Sequence, residues 1–380
     1  MSKHEHPFCV SGKHFKRQSS PPPLDGPFEF QLLDVQLSNY RNLSPRKEYK
    51  YIRRNEIRLF GITKEGFDVY CVALEFNPYF YVAIPSFSGG NGRVYRERFQ
   101  RFITKYMKMK TKLFKNESFV SVTICEKVPF LGFNENKKRP FFKIEVEFYD
   151  TMKVLVNELY ENITPREIFS DQDPIIKGWK HFSLHEINMD QTLRFCHSVG
   201  IKPGGWICVD KYKDLKDDEI SYCDYQIISS WKNISTSKNN NHGPCVVASF
   251  DLEVYSSTGG FPNASIKKDE IIQIGTTVHI LGDKNENNQH VFYARGDCLQ
   301  SCDPIENTEI VVYKSESDLL LGWRNWLMEE CRPDIILGYN TYRFDWMYLI
   351  KRAELYPSLS GSIQEGCPLL RFSKLKWHRS

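Results

Sequence analysis

The chain has 380 residues, 41% of them hydrophobic and 14% aromatic, which is enough material to bury the cores of two or three domains. Its 51 Lys and Arg against 47 Asp and Glu leave a net charge of +4, too small to argue by itself for a nucleic-acid partner. The opening Met-Ser-Lys-His-Glu-His-Pro lacks an apolar h-region, and no segment approaches the roughly 20 uninterrupted apolar residues of a membrane span, so a soluble, intracellular chain is expected.

Residues 1–27, with Ser19-Ser20-Pro21-Pro22-Pro23 near their end, read as a disordered leader, and His4, His6 and Cys9 within it as a polar tail rather than a metal site. The eleven cysteines are scattered without paired CxxC spacing; free thiols are expected, and Cys298 and Cys302, the closest pair, are assigned no role. Residues 28–230 read as a β-rich N-terminal domain. The runs at Ile57–Gly61, Phe67–Val72 and Tyr79–Ile84, separated by Lys64-Glu65-Gly66 and Asn77-Pro78, predict a meander of antiparallel strands. From Arg93 to Lys115, nine basic residues against Glu97, interleaved with Phe102, Ile103, Tyr106 and Met107, predict a basic amphipathic helix, which either tracks phosphates or is a solvated face. A strand at Phe141–Val146 and a helix near Thr151–Leu159 follow, and Ile187–Val199 reads as a short connector before a strand at Trp206–Val209.

The polar, turn-rich segment 231–245 reads as a linker or loop, which starts a second domain at Val246. Strands are predicted at Val246–Val254, Glu270–Leu281 and Val291–Arg295, joined as a meander. Ser315-Glu316-Ser317-Asp318 opens a helix whose Leu319, Leu320, Trp323, Trp326 and Leu327 repeat at three and four, ending at Arg332-Pro333. A short buried strand at Asp334–Gly338, a turn at Tyr339-Asn340 and a helix from about Phe344 to Leu355 complete the ribonuclease-H-like order, a mixed sheet covered by helices.

The chemistry follows from that order. Asp251 and Glu253 stand two apart on a strand, so both carboxylates leave one face and repel unless cations neutralise them. Hard divalent ions suit such oxygen ligands, and a pair of Mg²⁺ about 3.5–4 Å apart serves phosphodiester hydrolysis. Asp345, in the first turn of the last helix, would complete the cluster.

Ser249-Phe250-Asp251-Leu252-Glu253 resembles the first exonuclease motif of the family B DNA polymerases. Pro333–Asn340 with Phe344-Asp345-x-x-Tyr348-Leu349 resembles the second, and Asp269–Gly275 the strand between them. Ile57–Thr63 and Asn77–Val82 are similar to the N-terminal domain of the delta-type branch, whether cellular or from large DNA viruses. The resemblance implies a fold of mixed α/β and α+β class: an N-terminal β-rich domain, then at residues 246–380 an incomplete ribonuclease-H-like, DEDD-type 3′-to-5′ exonuclease domain. It further implies that Asp251 bridges two Mg²⁺ (or Mn²⁺) ions, that Glu253 helps hold the water-activating one and that Asp345 serves the other. Asn340, Phe344, Leu252 and Tyr339 would contact the single-stranded 3′ end of a primer-template.

The family's third motif, Tyr-x-x-x-Asp, has no counterpart after Asp345, and its polymerase motifs are also missing, so metal binding is expected to be weakened and polymerisation ruled out for this chain alone. Leu355-Tyr356-Pro357-Ser358 matches the end of a polymerase motif only by chance, since Lys351 stands where its aspartate would. The expected function is the N-terminal part of a replicative polymerase, acting at the nucleus or a viral replication site, with a separate polymerase-domain polypeptide as a possible partner. The competing expectation is a non-catalytic module that binds single-stranded DNA or serves assembly.

Overall fold

The structure, a computed structural model, describes residues 17, 20–41, 52–85, 92–110, 120–129, 135–170, 172–215, 221–282, 288–296 and 307–356. Its elements run β1 (Phe28–Arg41), β2 (Ile52–Ile62), β3 (Asp68–Leu74), β4 (Tyr79–Ala83), α1 (Gly92–Lys110), β5 (Val120–Lys127), β6 (Arg139–Val146), α2 (Tyr149–Glu161) and α3 (Pro165–Ile168). They continue with β7 (Ser183–His185), α4 (Gln191–Val199), β8 (Trp206–Val209), β9 (Lys213–Asp214), β10 (Tyr225–Ser230) and β11 (Ile234–Thr236). The last group is β12 (Val246–Val254), β13 (Ile271–Ile280), β14 (Gln289–Arg295), β15 (Thr308–Tyr313), α5 (Glu316–Asn325), a π-helical stretch Trp326–Cys331, β16 (Ile335–Leu337) and α6 (Asp345–Glu354).

The described strands form three sheets. The first runs in the order β11-β8-β1-β2-β3-β10-β9, antiparallel apart from the parallel pair β3 and β10. Phe30, Leu59, Val69, Ile207 and Ile227 alternate onto its inner face, and Phe195 of α4 packs on them. The second sheet runs β5-β6-β4-β7, all antiparallel, and α1 and α2 bury Phe99, Ile103, Met152 and Leu155 against its Phe80, Val82, Phe142 and Ile144. Read along the chain it is a split βαβ unit, β-α-β-β-α-β. The predicted three-strand meander is therefore corrected: β2 and β3 pair, but β4 leaves for the second sheet. The reason is that Asn77-Pro78 makes a change of sheet rather than a hairpin, a choice set by distant partners.

The third sheet, β15-β14-β13-β12-β16, holds the paired acidic motifs. β12, β13 and β14 form the predicted antiparallel meander, and β16 runs parallel to β12. A further strand, β15, lies parallel to β14. Ser315 caps α5, its side chain accepting the Asp318 N–H at 3.2 Å. The helix widens into the π-helical stretch, where the Arg332 N–H reaches Leu327 O, and stops at Arg332, whose φ of 46° lies in the left-handed region.

Three other expectations change. Ile187–Val199 is not a connector: Asp190 accepts from Thr192 N and Leu193 N and opens α4, which Gly200 ends at a φ of 79°. Residues 231–245 are not simply a linker, because β11 pairs with β8 in the first sheet. Nor is all of 1–27 a disordered leader. The Pro22 and Gly26 carbonyls accept from the Tyr225 and Tyr212 hydroxyls, and Arg17 is buried.

Arg17 ties the first sheet to the third. Its guanidinium donates to Gly66 O at 2.7 and 3.0 Å, to Arg332 O at 2.8 Å and to Asp334 Oδ1 at 2.9 Å. The other oxygen of Asp334 accepts the Val246 N–H at 2.9 Å. Alongside, Arg332 reaches Asp68 at 2.6 Å and Asp224 at 3.0 Å. Burial and the adjacent Asp68 push the Asp224 carboxyl up to about 6. No helix among the described residues is long and apolar enough to cross a membrane, and no disulfide joins the described cysteines. Cys9, Cys298, Cys302, Cys367, His4 and His6 lie outside the described residues.

Candidate functional site

β12 alternates as its sequence requires. Val246, Ala248, Phe250 and Leu252 enter the core, while Asp251 and Glu253 are exposed together on the opposite face. Asp251 sits opposite Gly275 of β13 and Glu253 opposite Gln273. On the other side of β12, the strand β16 is followed directly by Gly338. A Cβ there would lie 2.6 Å from the Phe250 carbonyl oxygen and 2.4 Å from Thr341 Cγ2, so only glycine lets the chain pass this close to the strand bearing Asp251.

The turn after Gly338 sets up α6. Asn340 has φ 55°, and its carbonyl accepts from Arg343 and Phe344 at 3.0 and 3.2 Å. Asp345 follows as the first residue of α6, only 2% exposed, and its Oδ1 accepts the Leu252 N–H at 3.3 Å. Burial pushes its carboxyl up from the usual aspartate range. The Asp251 charge adds to this, while backbone N–H groups pull the other way. The two motifs thus meet at Asp251 and Asp345, close enough for the charge of one to act on the other.

Glu253 lies two residues along β12, about 6–7 Å from Asp251 by strand geometry. Among the described residues, no group of three or more His, Cys, Asp or Glu stands ready to hold a metal ion. Leu252, expected among the DNA contacts, has its side chain in the core and its backbone N–H bonded to Asp345. Asn340 and Tyr339 are exposed beside the acids, Tyr339 almost fully. Glu354, the other acid of α6, is at its far end, away from Asp345.

Phe344 caps α6 and touches two rings, Tyr348 and Phe261, each with centroids 5.4 Å away. Phe261 is 81% exposed on the loop following β12, and sequence reasoning missed it. The available signal was a large aromatic in the Gly259-Gly260-Phe261-Pro262 turn, where burial alone does not explain one. The loop is held by buried groups that were also missed as site supports. Asp269 accepts from the Ser257 hydroxyl, from Asn263 N at 2.8 Å and from Ser257 N at 2.9 Å, which together hold its carboxyl below the usual range. Arg352 of α6 is fully buried. It pairs with Glu316 of α5 and donates to the carbonyls of Ala264, Ile266 and Lys267 at 3.2, 2.8 and 3.1 Å. One helix therefore carries Asp345 at its start and anchors the Phe261 loop near its end.

Comparison with known proteins bears on this arrangement. Residues 182–369 match the model of the DNA polymerase family B exonuclease domain. That segment belongs to the family B DNA polymerases. A DNA polymerase of Acanthamoeba polyphaga mimivirus is 29% identical over 339 residues, covering 86% of this chain and 18% of the relative. The DNA polymerase delta catalytic subunit of Arabidopsis thaliana is 32% identical over 303 residues, 78% of this chain and 26% of the relative. The chain thus spans about a fifth to a quarter of the length of these relatives. A solved family B polymerase from the archaeon Pyrobaculum calidifontis shares the fold, with a TM-score of 0.52 at 18% identity over 86% of this chain and 32% of that one. The family match begins at residue 182, upstream of the expected boundary at 231–245, and takes in β8, β10 and β11 of the first sheet.

Proposed function

We propose that residues 246–356 provide the 3′-to-5′ exonuclease site of a delta-type, replicative family B polymerase, with residues 28–230 as its N-terminal domain. The observation that carries the proposal is the buried Asp345 carboxylate held against the strand that bears Asp251. Burying one acid beside another is costly unless a cation shares them. The donor set is all carboxylate oxygen, which fits Mg²⁺ or Mn²⁺, with Asp251 and Asp345 as holders and Glu253 joining from the same strand face. When bound, such ions make a water nucleophilic near neutral pH and stabilise the departing 3′ oxygen.

The chain's own residues do the remainder. The Leu252 N–H orients Asp345, Gly338 brings the motif-bearing strands together, and Asn340, Tyr339 and Phe344 line the approach to the acids. Phe344 and Phe261 present ring faces on which the terminal base of a single strand stacks. The test is trimming of a 5′-labelled single-stranded oligonucleotide with Mg²⁺ or Mn²⁺. Ladders that vanish in Asp251→Ala and Asp345→Asn support the proposal; trimming that persists in both refutes it. The lack of a three-ligand group among the described residues favours a second reading, a binding module without turnover. It predicts retained DNA binding, insensitive to metal and to Asp251→Ala, with no trimming.

A further inference from the structure

The split βαβ unit carries chemistry that the carboxylate site does not use. In nucleic-acid-binding modules of this topology, bases stack on aromatic side chains of the sheet's open face. Here Tyr79 and Tyr81 of β4 and Phe141 and Lys143 of β6 stand on that face, but it is closed. Tyr81 is 5% and Phe141 2% exposed, the Arg194 guanidinium lies 4.1 Å from the centre of the Tyr79 ring, and His185 meets Phe141 edge-on. A strand of nucleic acid finds no stacking platform there.

The outer face of α1 is open. Tyr95, Phe99, Ile103 and Met107 point into the core, which turns Arg101, Lys105 and Lys108 outward in one row at spacings of four and three. The row is about 10 Å long by helix geometry. Neighbouring cations are already matched: Arg93 and Arg96 by Glu97, Arg98 by Asp173, and Lys110 by Glu158. The three in the row have no carboxylate partner among the described residues. They line an open cavity of about 810 Å³ together with Arg96, Glu97, Gln100, Thr104 and Met109, and the Glu97 carboxylate there is already engaged by Arg93 and Arg96. Arg96 Nε, buried in its wall, has no hydrogen-bond partner.

We propose that this face of α1 docks the phosphodiester backbone of single-stranded DNA, at a site distinct from the carboxylates. Charge complementarity identifies the occupant. Three evenly spaced cations left unmatched while their neighbours are paired suit the regular charge of a polyanion; Met109 and Val94 are exposed nearby, but neither supplies the aromatic centre on which a protein partner packs.

The experiment is fluorescence anisotropy of the full chain with a labelled oligothymidylate in EDTA, titrated across salt concentrations. The triple variant R101A/K105A/K108A is expected to bind at least tenfold more weakly and to lose about 2 from the slope of log affinity against log salt, at roughly 0.7 per phosphate. The charge-keeping variant R101K/K105R/K108R is expected to bind like the wild type, which separates lost contacts from lost folding. Lys232→Ala, which removes an exposed cation away from both α1 and the carboxylates, is expected to leave affinity unchanged. An unchanged slope in the triple alanine variant, an equal loss of binding in Lys232→Ala, or equal affinity for an oligo-glutamate peptide would each overturn the proposal, as would binding of oligouridylate RNA in preference to DNA.

Discussion

Gly338→Ala tests how closely the two motif-bearing strands must approach. The added Cβ would sit 2.6 Å from the Phe250 carbonyl oxygen and 2.4 Å from Thr341 Cγ2. The threonine methyl can rotate away, but the carbonyl is main chain of β12, paired on both sides with β13 and β16. Relief therefore requires β16 to retreat by roughly half an ångström or more, an overpacking cost of about 1–3 kcal/mol. For a domain of this size each kcal/mol lowers the melting midpoint by roughly 2–4 °C, so a drop of about 4–8 °C is expected at the middle of that range. Differential scanning fluorimetry measures it, and the double variant Gly338→Ala with Thr341→Ser apportions it. Removing the methyl should restore only a minor part, because the carbonyl clash remains. If the single variant melts within a degree of wild type, or if Thr341→Ser restores stability completely, the carbonyl is not the barrier and the argument fails. Since Phe250 precedes Asp251, 3′-end trimming should fall further than stability does.

Other outcomes follow from buried charge. Because the Asp345 pKa is raised in the folded state, its ionised form opposes folding, and that penalty grows as pH rises through the carboxylate range. Asp345→Asn should therefore abolish trimming while leaving thermal stability at neutral pH equal or higher, with the gain disappearing in acid; a large loss of stability would refute this. Wild type should also gain melting temperature on Mg²⁺ addition where the variant does not. Arg352→Met leaves Glu316 buried and unpaired and frees three loop carbonyls, so a loss of about 3–5 kcal/mol is expected in urea unfolding. Adding Glu316→Gln should recover part of that loss, and failure to recover any would show the loop bonds, rather than the ion pair, dominate.

Legibility from sequence followed the range of the interactions involved. β12, α5 and α6 were readable because alternation, a capping box and three-four spacing are local signals, and the meeting of Asp251 with Asp345 followed from their order. α4 was readable too, since Asp190 and Gly200 mark its ends, but it was passed over as a connector. β15 and the transfer of β4 to a second sheet depend on partners far along the chain, which pattern alone does not specify. Arg17 shows the same limit most plainly. In a polar leader it looks like any solvated cation, and its role comes from Asp334, more than three hundred residues away. Arg352 and Asp269 were hidden for another reason: polar residues on otherwise apolar elements read as surface until the loop they anchor is seen.

The Arg17 junction changes what counts as a unit in this molecule. Asp334 opens the approach to β16 and, through Val246, fixes the start of β12, so both motif-bearing strands hang from a side chain that precedes the first sheet. A piece cut to begin at residue 246 would keep every acid of the site yet leave a buried aspartate facing an empty socket, and its two key strands would start without a common hinge pin. Inheritance should respect this: the segment around Arg17 and the exonuclease region travel as one cassette, however far apart they stand in the reading frame.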